Sequence, residues 1–546
     1  MDVIKNNNCS SYNIKENNHN KLKLKKQNCC VITCFIFYIF CISTINNLDK
    51  YLHLTTSRYI LTYSNILYFI SFLSLGVQVE LLIGLRCGIL PVDKYLKKIK
   101  KKLKDIDFFL VYHIVLFVYK FWKYVIRKRI KVKTFCKVGV LLSILNFLIQ
   151  KRIQNDFFRI FLSLILFIVL FILHICFKIV MRDFMIFQCD LLMNELGFLL
   201  IFLNLSDSYY LKNSNTLVIC LLRLVSFKIL FNSAAHKFVH NSSQWLHLES
   251  FQNLFFCQPV PSILSHIANC KFDKKLICFL VIISELLFSW FIFCSSSLRI
   301  FFFVLFVSKK LSSVHITCYI ICNYIFFSYI CLILFFSSFD DSILNSFSYS
   351  RGVPALYKNN AIINTSIYLL VSLVDVIILL FYFFVVLINF VPFTEQWNVY
   401  DFKCFHFVYY IYCLFCPLNI CNSYAMLTYT RSHRGEIVIK ELHKMGERYE
   451  WKPLYFKNKT DNLNKIGSVL WWGHLPRLEW KLHFFADYFK NENYEKNTYP
   501  IYICSFLKKL CMRQEHLASM IGEEQMRRVP LMIRLAYYDY KMSMTG

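Results

Sequence analysis

The chain has 546 residues, 57% of them hydrophobic, with 56 Phe and only 17% charged residues, and its mean hydropathy is +0.46. Globular proteins average about a quarter charged residues, so a wholly water-soluble protein is excluded. The net charge of +29 would point to nucleic acid in a soluble protein. Here the basic residues cluster between apolar runs, at Lys94–Lys104 and Lys123–Lys133. There they flank a membrane and face anionic headgroups, and no aromatic-interleaved basic motif marks nucleic-acid binding. The expected fold is an α-helical polytopic membrane protein with a small C-terminal soluble domain containing β-strands and helices.

Residues 1–28 are polar, rich in Asn and Lys, and read as a disordered tail. Cys29–Ile45 is apolar with basic residues before it and no clean small-residue cleavage site after it, the pattern of a signal-anchor. Residues 57–390 read as a multi-span bundle. Spans are expected at Arg58–Val79, Phe108–Ile126, Phe135–Gln150, Phe157–Val180, Thr216–Ser233, Leu276–Cys294, Ser312–Ser337 and Ile367–Phe390, each near the roughly 20 residues that cross hydrocarbon. Leu298–Val307 is short and fits a re-entrant or bent span. Asp190–Leu205 is half-polar and is expected among other helices. Residues 391–427, broken by Pro417 and several Asn, are expected along the interface.

From residue 428 to the end the texture is that of a soluble domain, long enough for a small core. Glu436–Leu442 alternates as a strand does, and Tyr449–Phe456 offers a second. Tyr499–Leu510 and Gln514–Met520 read as helix.

The motifs of enzymes are missing. The chain has no His-Glu-x-x-His, no Gly-x-Ser-x-Gly and no phosphate loop, so no catalytic residue and no cofactor is expected. His236 and His240 share a helix face, but a metal site needs a third ligand, and no metal is expected. Cys413-Leu-Phe-Cys416 has dithiol spacing. It lies in an aromatic run, where Cys packs as a small hydrophobe. Charges at membrane depth are more informative, because burying one costs several kcal/mol by some scales. Asp190, Glu195, Lys228 and Glu285 are candidates for a polar seam that positions helices or a partner. The alternative is that they lie at helix ends and reach headgroups.

Several blocks resemble the lipase maturation factors of the endoplasmic reticulum. The first runs from Ser57-Arg58-Tyr59-Ile60 through Ile70–Leu75 and Gln78 to Leu82-Ile83-Gly84 and Gly88-Ile89-Leu90-Pro91. The second is Phe187-Gln188-Cys189-Asp190 with Glu195-Leu196-Gly197-Phe198, where Cys189 stands for the family's Trp. A third runs from Lys228, where the family has Arg, through Ser233, Lys237 and Trp245 to Gln258-Pro259-Val260-Pro261. In that block Leu254-Phe255-Phe256 replaces a His-Tyr-Glu stretch. Glu285 falls on the family's Glu, and Asn323-Tyr324 and Asp340-Asp341 continue the match. The most specific part is the tail: Asn422-Ser423-Tyr424, Glu436–Ile439, Trp451, His474, Pro476-Arg477-Leu478-Glu479-Trp480, Arg534 and Tyr537–Lys541.

The resemblance implies an endoplasmic-reticulum membrane protein that helps secreted lipases fold and assemble, with its tail in the lumen. Its partners would be membrane lipid and secretory clients, lipases foremost. A folding factor needs docking surface, and Trp and Arg are favoured at contact hot spots. Trp471, Trp472, His474, Arg477, Glu479 and Trp480 are therefore the candidate client contacts, with a core role the competing reading for Trp480. Asn8, Asn241, Asn364 and Asn458 open glycosylation sequons, and only Asn458 lies in a clearly soluble segment. By the positive-inside rule the Lys-rich loop Glu80–Asp107 would face the cytosol if Cys29–Ile45 crosses. A membrane enzyme using buried carboxylates and a thiol-redox helper are the competing functions.

Overall fold

The computed structural model describes residues 32–48, 50–85, 87–102, 109–239, 243–255, 257–271, 273–307, 320–347, 365–395, 406–425, 427, 431, 433–462, 467, 469–490, 499–513, 515–522 and 524–540. The polar tail 1–28, His240, the sequons at Asn8, Asn241 and Asn364, and the first part of the span expected from Ser312 lie outside them.

The protein is a bundle of apolar helices carrying a small α+β domain. The bundle comprises α1 (Ile32–Leu48), α2 (Leu54–Ile83), α3 (Val92–Lys102), α4 (Phe109–Arg127), α5 (Val132–Arg152), α6 (Asp156–Val180), α7 (Gln188–Leu205), α8 (Lys212–Val239), α9 (Lys274–Leu286), α10 (Ser296–Val307), α11 (Ile325–Phe335), α12 (Thr365–Glu395) and α13 (His406–Phe415). Seven helices among the described residues are long and apolar enough to cross a membrane: Leu54–Ile83, Val132–Arg152, Asp156–Val180, Gln188–Leu205, Tyr209–Val239, Lys274–Phe293 and Val371–Thr394. The half-polar Gln188–Leu205 is one of them. Its polar residues Asp190, Asn194, Glu195 and Asn204 are all buried.

Helix α8 sits at the centre, and every residue of its apolar window is buried. A helix buried on every side has no solvent face to keep, and here neighbouring helices cover it. Small residues bring α2 and α5 together: a Cβ on Gly139 would meet Phe72 Cγ at 2.5 Å. Close backbone approach of this kind replaces the hydrophobic drive that lipid cannot supply between helices. Asn146 on α5 donates to Asn65 on α2 at 2.9 Å within the same contact.

The two ends of the bundle differ. Helix α1 ends and α2 begins around Asp340 and Asp341, where Asp341 accepts from Thr56 N at 3.0 Å and Arg223 donates to Asn47 at 3.3 Å. The other end of α2 meets the C-terminal domain. Lys133 N, at the start of α5, also reaches Glu80 at 2.8 Å there. Beyond α2 the chain turns into α3, whose Val92, Tyr95 and Leu96 are buried while Lys94, Lys97 and Lys98 are exposed.

The C-terminal domain has a three-stranded antiparallel sheet in the order β2-β1-β3, made of β1 (Arg434–Met445), β2 (Arg448–Leu454) and β3 (Met532–Tyr540). Gly446, with φ +66°, opens the two-residue turn between Met445 and Arg448, where a hairpin demands positive φ. Ile437 pairs with Tyr537 and Ile439 with both Leu454 and Leu535. Helices α14 (Arg477–Lys490) and α15 (Ile501–Cys511) complete the domain. The two expected strands and the helix at 499–510 appear. Residues 515–521 form only a short 3-10 turn followed by one helical turn. Strand β3 and helix α14 are additional.

Within the segment 391–427, residues 420–424 pack into the protein. Ile420, Cys421, Asn422 and Tyr424 are buried within the bundle, because Asn422 and Tyr424 find a carboxylate there.

Candidate functional site: a buried charge seam and an exposed tryptophan edge

Helix α8 carries Arg223, Lys228 and Lys237 at positions with no access to water. A buried cation survives only with a partner, and each of the three meets a carboxylate from a different neighbour. Arg223 pairs with Asp340 at 3.2 Å, and Arg299 of α10 reaches the same carboxylate at 2.6 Å. Lys228 pairs with Glu195 of α7 and donates to Asn389 of α12 at 2.6 Å. Lys237 pairs with Glu285 of α9 and lies 4.2 Å from the centre of the Trp245 ring.

Glu195 is the busiest of these groups. One oxygen takes Lys228. The other accepts Tyr424 Oη at 2.6 Å and both the backbone N and Nδ2 of Asn422 at 3.3 Å. The segment leaving the last membrane helices is thereby clamped to the centre of the bundle.

Asp190 faces the C-terminal domain. Arg477 binds it with both terminal nitrogens, each at 2.6 Å, and also donates to Phe184 O at 2.9 Å. This two-toothed geometry is the strong form of the ion pair. Burial works against the charged guanidinium, but Asp190 outweighs it, and Arg477 holds its proton more tightly than usual. Around the pair the backbone is stitched to α2. Leu475 N donates to Ser74 Oγ at 3.1 Å, Gln78 Nε2 to Leu475 O at 2.7 Å, and Arg477 N to Gln78 Oε1 at 3.1 Å.

All four seam candidates are therefore buried and ion-paired, but not in one row. Lys228 and Glu195 pair with each other, Glu285 pairs with Lys237, and Asp190 belongs to the domain interface. Sequence reasoning missed Arg223, Arg299, Lys237, Asn389 and the pair of Arg159 with Asp207. Arg223, Lys237 and Arg159 carried the same signal as the chosen four, a charge within an apolar run.

The six contact candidates separate sharply. Arg477, Glu479 and Trp480 are 1%, 2% and 4% exposed, so they are not available to a partner in this conformation. Glu479 accepts the backbone N and Nδ2 of Asn458, both at 3.0 Å. Trp480 meets Phe187 and Tyr324 edge to face. The Asn458 side chain, whose sequon lies in the soluble segment, is half-buried and engaged. His474 is half-buried, 3.0 Å from Ser74 Oγ and stacked on Trp472. Burial pushes its imidazole down to about 4.

Trp471 and Trp472 are 57% and 42% exposed. Their loop is held from both sides: Tyr329 Oη donates to Trp471 O at 2.6 Å, and Leu470 N donates to Asn323 at 3.0 Å. Gly473, at φ +80°, packs on Ile70, where a Cβ would sit 3.0 Å from a methyl group.

Cys413, half-buried, lies in α13, and the exposed Cys416 follows the end of that helix. Among the described residues no group of three or more His, Cys, Asp or Glu could hold a metal ion.

The model for the lipase maturation factor transmembrane domain matches residues 55–346, and that for the lipase maturation factor C-terminal domain matches residues 420–545. The chain belongs to the lipase maturation factor family. No curated protein and no solved structure matches it. The two matched regions meet at Asp190 and Arg477, so the contact described above joins the family's membrane part to its C-terminal part.

Proposed function

We propose that this multi-pass membrane protein works in the endoplasmic reticulum as an assembly factor that brings secreted lipases to their active state, with its C-terminal domain in the lumen. Family membership supports the maturation role. The observation that carries the contact site is the Trp471–Trp472 edge, exposed yet fixed by hydrogen bonds with Tyr329 of α11 and Asn323 just before it. Exposed, preorganised indoles bind apolar surface with little ordering cost. Partly assembled subunits expose such surface and aggregate, and a membrane-held factor raises the local concentration of matching subunits.

A membrane enzyme working through buried carboxylates is less well supported, since Asp190, Glu195 and Glu285 are each committed to a cation. The test is the ratio of secreted lipase activity to total lipase polypeptide, measured in cells lacking the protein. The ratio is expected to fall, and to be restored by the wild-type chain but not by Trp471→Ala/Trp472→Ala. An unchanged ratio across the secreted lipases overturns the assembly role. Full rescue by the double variant overturns the contact site alone.

A further inference from the structure

An apolar groove of about 680 Å³ runs along the outside of the bundle between α2 and α11. Its size is within the range of about 300–1,000 Å³ common to small-molecule sites. One wall is the α2 face from Tyr59 to Leu73, the other is formed by Tyr329, Leu332 and Phe336, and Trp471 and Trp472 stand at the Leu73 end. We infer that this groove holds one acyl chain of a bilayer phospholipid, with the two tryptophans of the C-terminal domain covering the end nearest the headgroup.

Four observations lead there. First, both walls are apolar helices of the membrane region, so the open side faces hydrocarbon, and lipid is the solvent that meets it. Second, the stretch from Tyr59 to Leu73 is about 21 Å long at 1.5 Å per residue. That exceeds the roughly 15 Å of one leaflet's hydrocarbon, so an extended chain fits lengthwise.

Third, the lining is almost wholly carbon. An extended peptide lying there would leave its backbone N–H and C=O groups without partners in hydrocarbon, at several kcal/mol each, whereas an acyl chain has no such groups. Fourth, the Leu73 end carries the two indoles, rings with a polar edge that settle at headgroup level. The stacked rings of Tyr59 and Tyr63 line the other end. The pinned loop and the close seat of Gly473 on Ile70 keep the groove formed before a chain enters.

The inference does not depend on the lipase role and is tested without a client. The full-length protein is placed in nanodiscs of phosphatidylcholine carrying a photoactivatable diazirine on one acyl chain, and adducts are mapped by mass spectrometry after irradiation. Labelling of Leu73, Leu332 and their neighbours is expected to exceed several-fold that of Leu141 and Leu148, which are exposed on α5. Filling the groove with Leu73→Trp, or separately with Ile66→Phe, is expected to bring groove labelling down to the α5 level. The α5 labelling itself reports that each variant still sits in the bilayer. Equal labelling of the two faces in the wild type, or groove labelling that both filling variants leave intact, overturns the inference. So does a co-purified polypeptide cross-linked in the groove in place of lipid.

Discussion

Arg477 of the C-terminal domain and Asp190 of the membrane bundle, 287 residues apart, form a buried two-toothed ion pair. Removing one partner of a buried pair leaves an uncompensated charge, which costs about 3–5 kcal/mol. Asp190→Ala and Arg477→Ala should each lower the unfolding midpoint of the purified protein. The double variant should be less than additive, since the second change removes the stranded charge. Strict additivity in a double-mutant cycle would show that the pair does not couple the two parts.

Lys228 and Glu195 sit deeper, with Tyr424 and Asn422 on the second carboxylate oxygen. Lys228→Met should destabilise strongly, because Glu195 is then buried without its cation. Lys228→Met combined with Glu195→Gln should recover much of the loss, as replacement of whole buried pairs is often near neutral. Thermal unfolding in detergent reads both. A double variant worse than the single one would contradict this view.

The Lys-rich loop and the C-terminal domain lie at the same end of the bundle. Ser505 of α15 hydrogen-bonds Ile89 O, just before α3, and Lys509 has its affinity for protons lowered by burial and by nearby Lys94 and Lys508. A cytosolic loop and a lumenal C-terminal domain therefore cannot both hold. Protease tags placed after Lys101 and at Gly446 should be cut together or protected together in sealed vesicles. With the lumenal placement proposed above, both are protected. Opposite behaviour of the two tags would refute the shared face. The sequon at Asn458 is a poor reporter, because its amide already serves Glu479.

The C-terminal domain should lose stability on acidification. Burial pushes His483 and His474 down to about 4, the former with Glu436 opposing the shift and the latter with Arg477 adding to it. Between pH 6.5 and 4 the unfolded chain therefore takes up two protons that the folded chain refuses. Asp461, raised to about 6 by burial, acts the other way with one proton between pH 6 and 3.8. Glu436 is held well below the usual carboxylate range: burial opposes this, but Lys459 and Arg434 outweigh it. It adds to the loss below pH 4.5. The balance favours the unfolded state by about one proton, or about 1.4 kcal/mol per pH unit. The unfolding midpoint should fall from pH 7 to pH 4.5, and His483→Gln should flatten the dependence. A midpoint that rises over that interval would contradict the assignment.

Hydropathy and length were enough to identify the chain as polytopic and to place six of the seven candidate spans among the described residues, because a run of about 20 apolar residues has one stable setting in a bilayer. Gln188–Leu205 was not read as a span, and the expected Phe108–Ile126 and Ser312–Ser337 are not among the seven. The same physics marked Asp190, Glu195, Lys228 and Glu285, since a charge inside an apolar run demands a reason. Alternation in β1 and the Pro-Arg-Leu-Glu-Trp string with its neighbours were also legible. Partners were not. Lys228 finds Glu195 on the preceding helix, but Asp190 finds Arg477 across most of the chain, and no local pattern encodes such a meeting. The direction in which residues 477–480 face was decided the same way. Pro476 starts a helix there, and its turn carries Arg477, Glu479 and Trp480 inward against Asp190, Asn458 and Phe187. Only Trp471 and Trp472, ahead of that turn, remain at the surface. Tertiary structure therefore made an interior joint of half the residues read as a contact face, because burying a cation and a carboxylate together in low dielectric is tolerable only where both arrive.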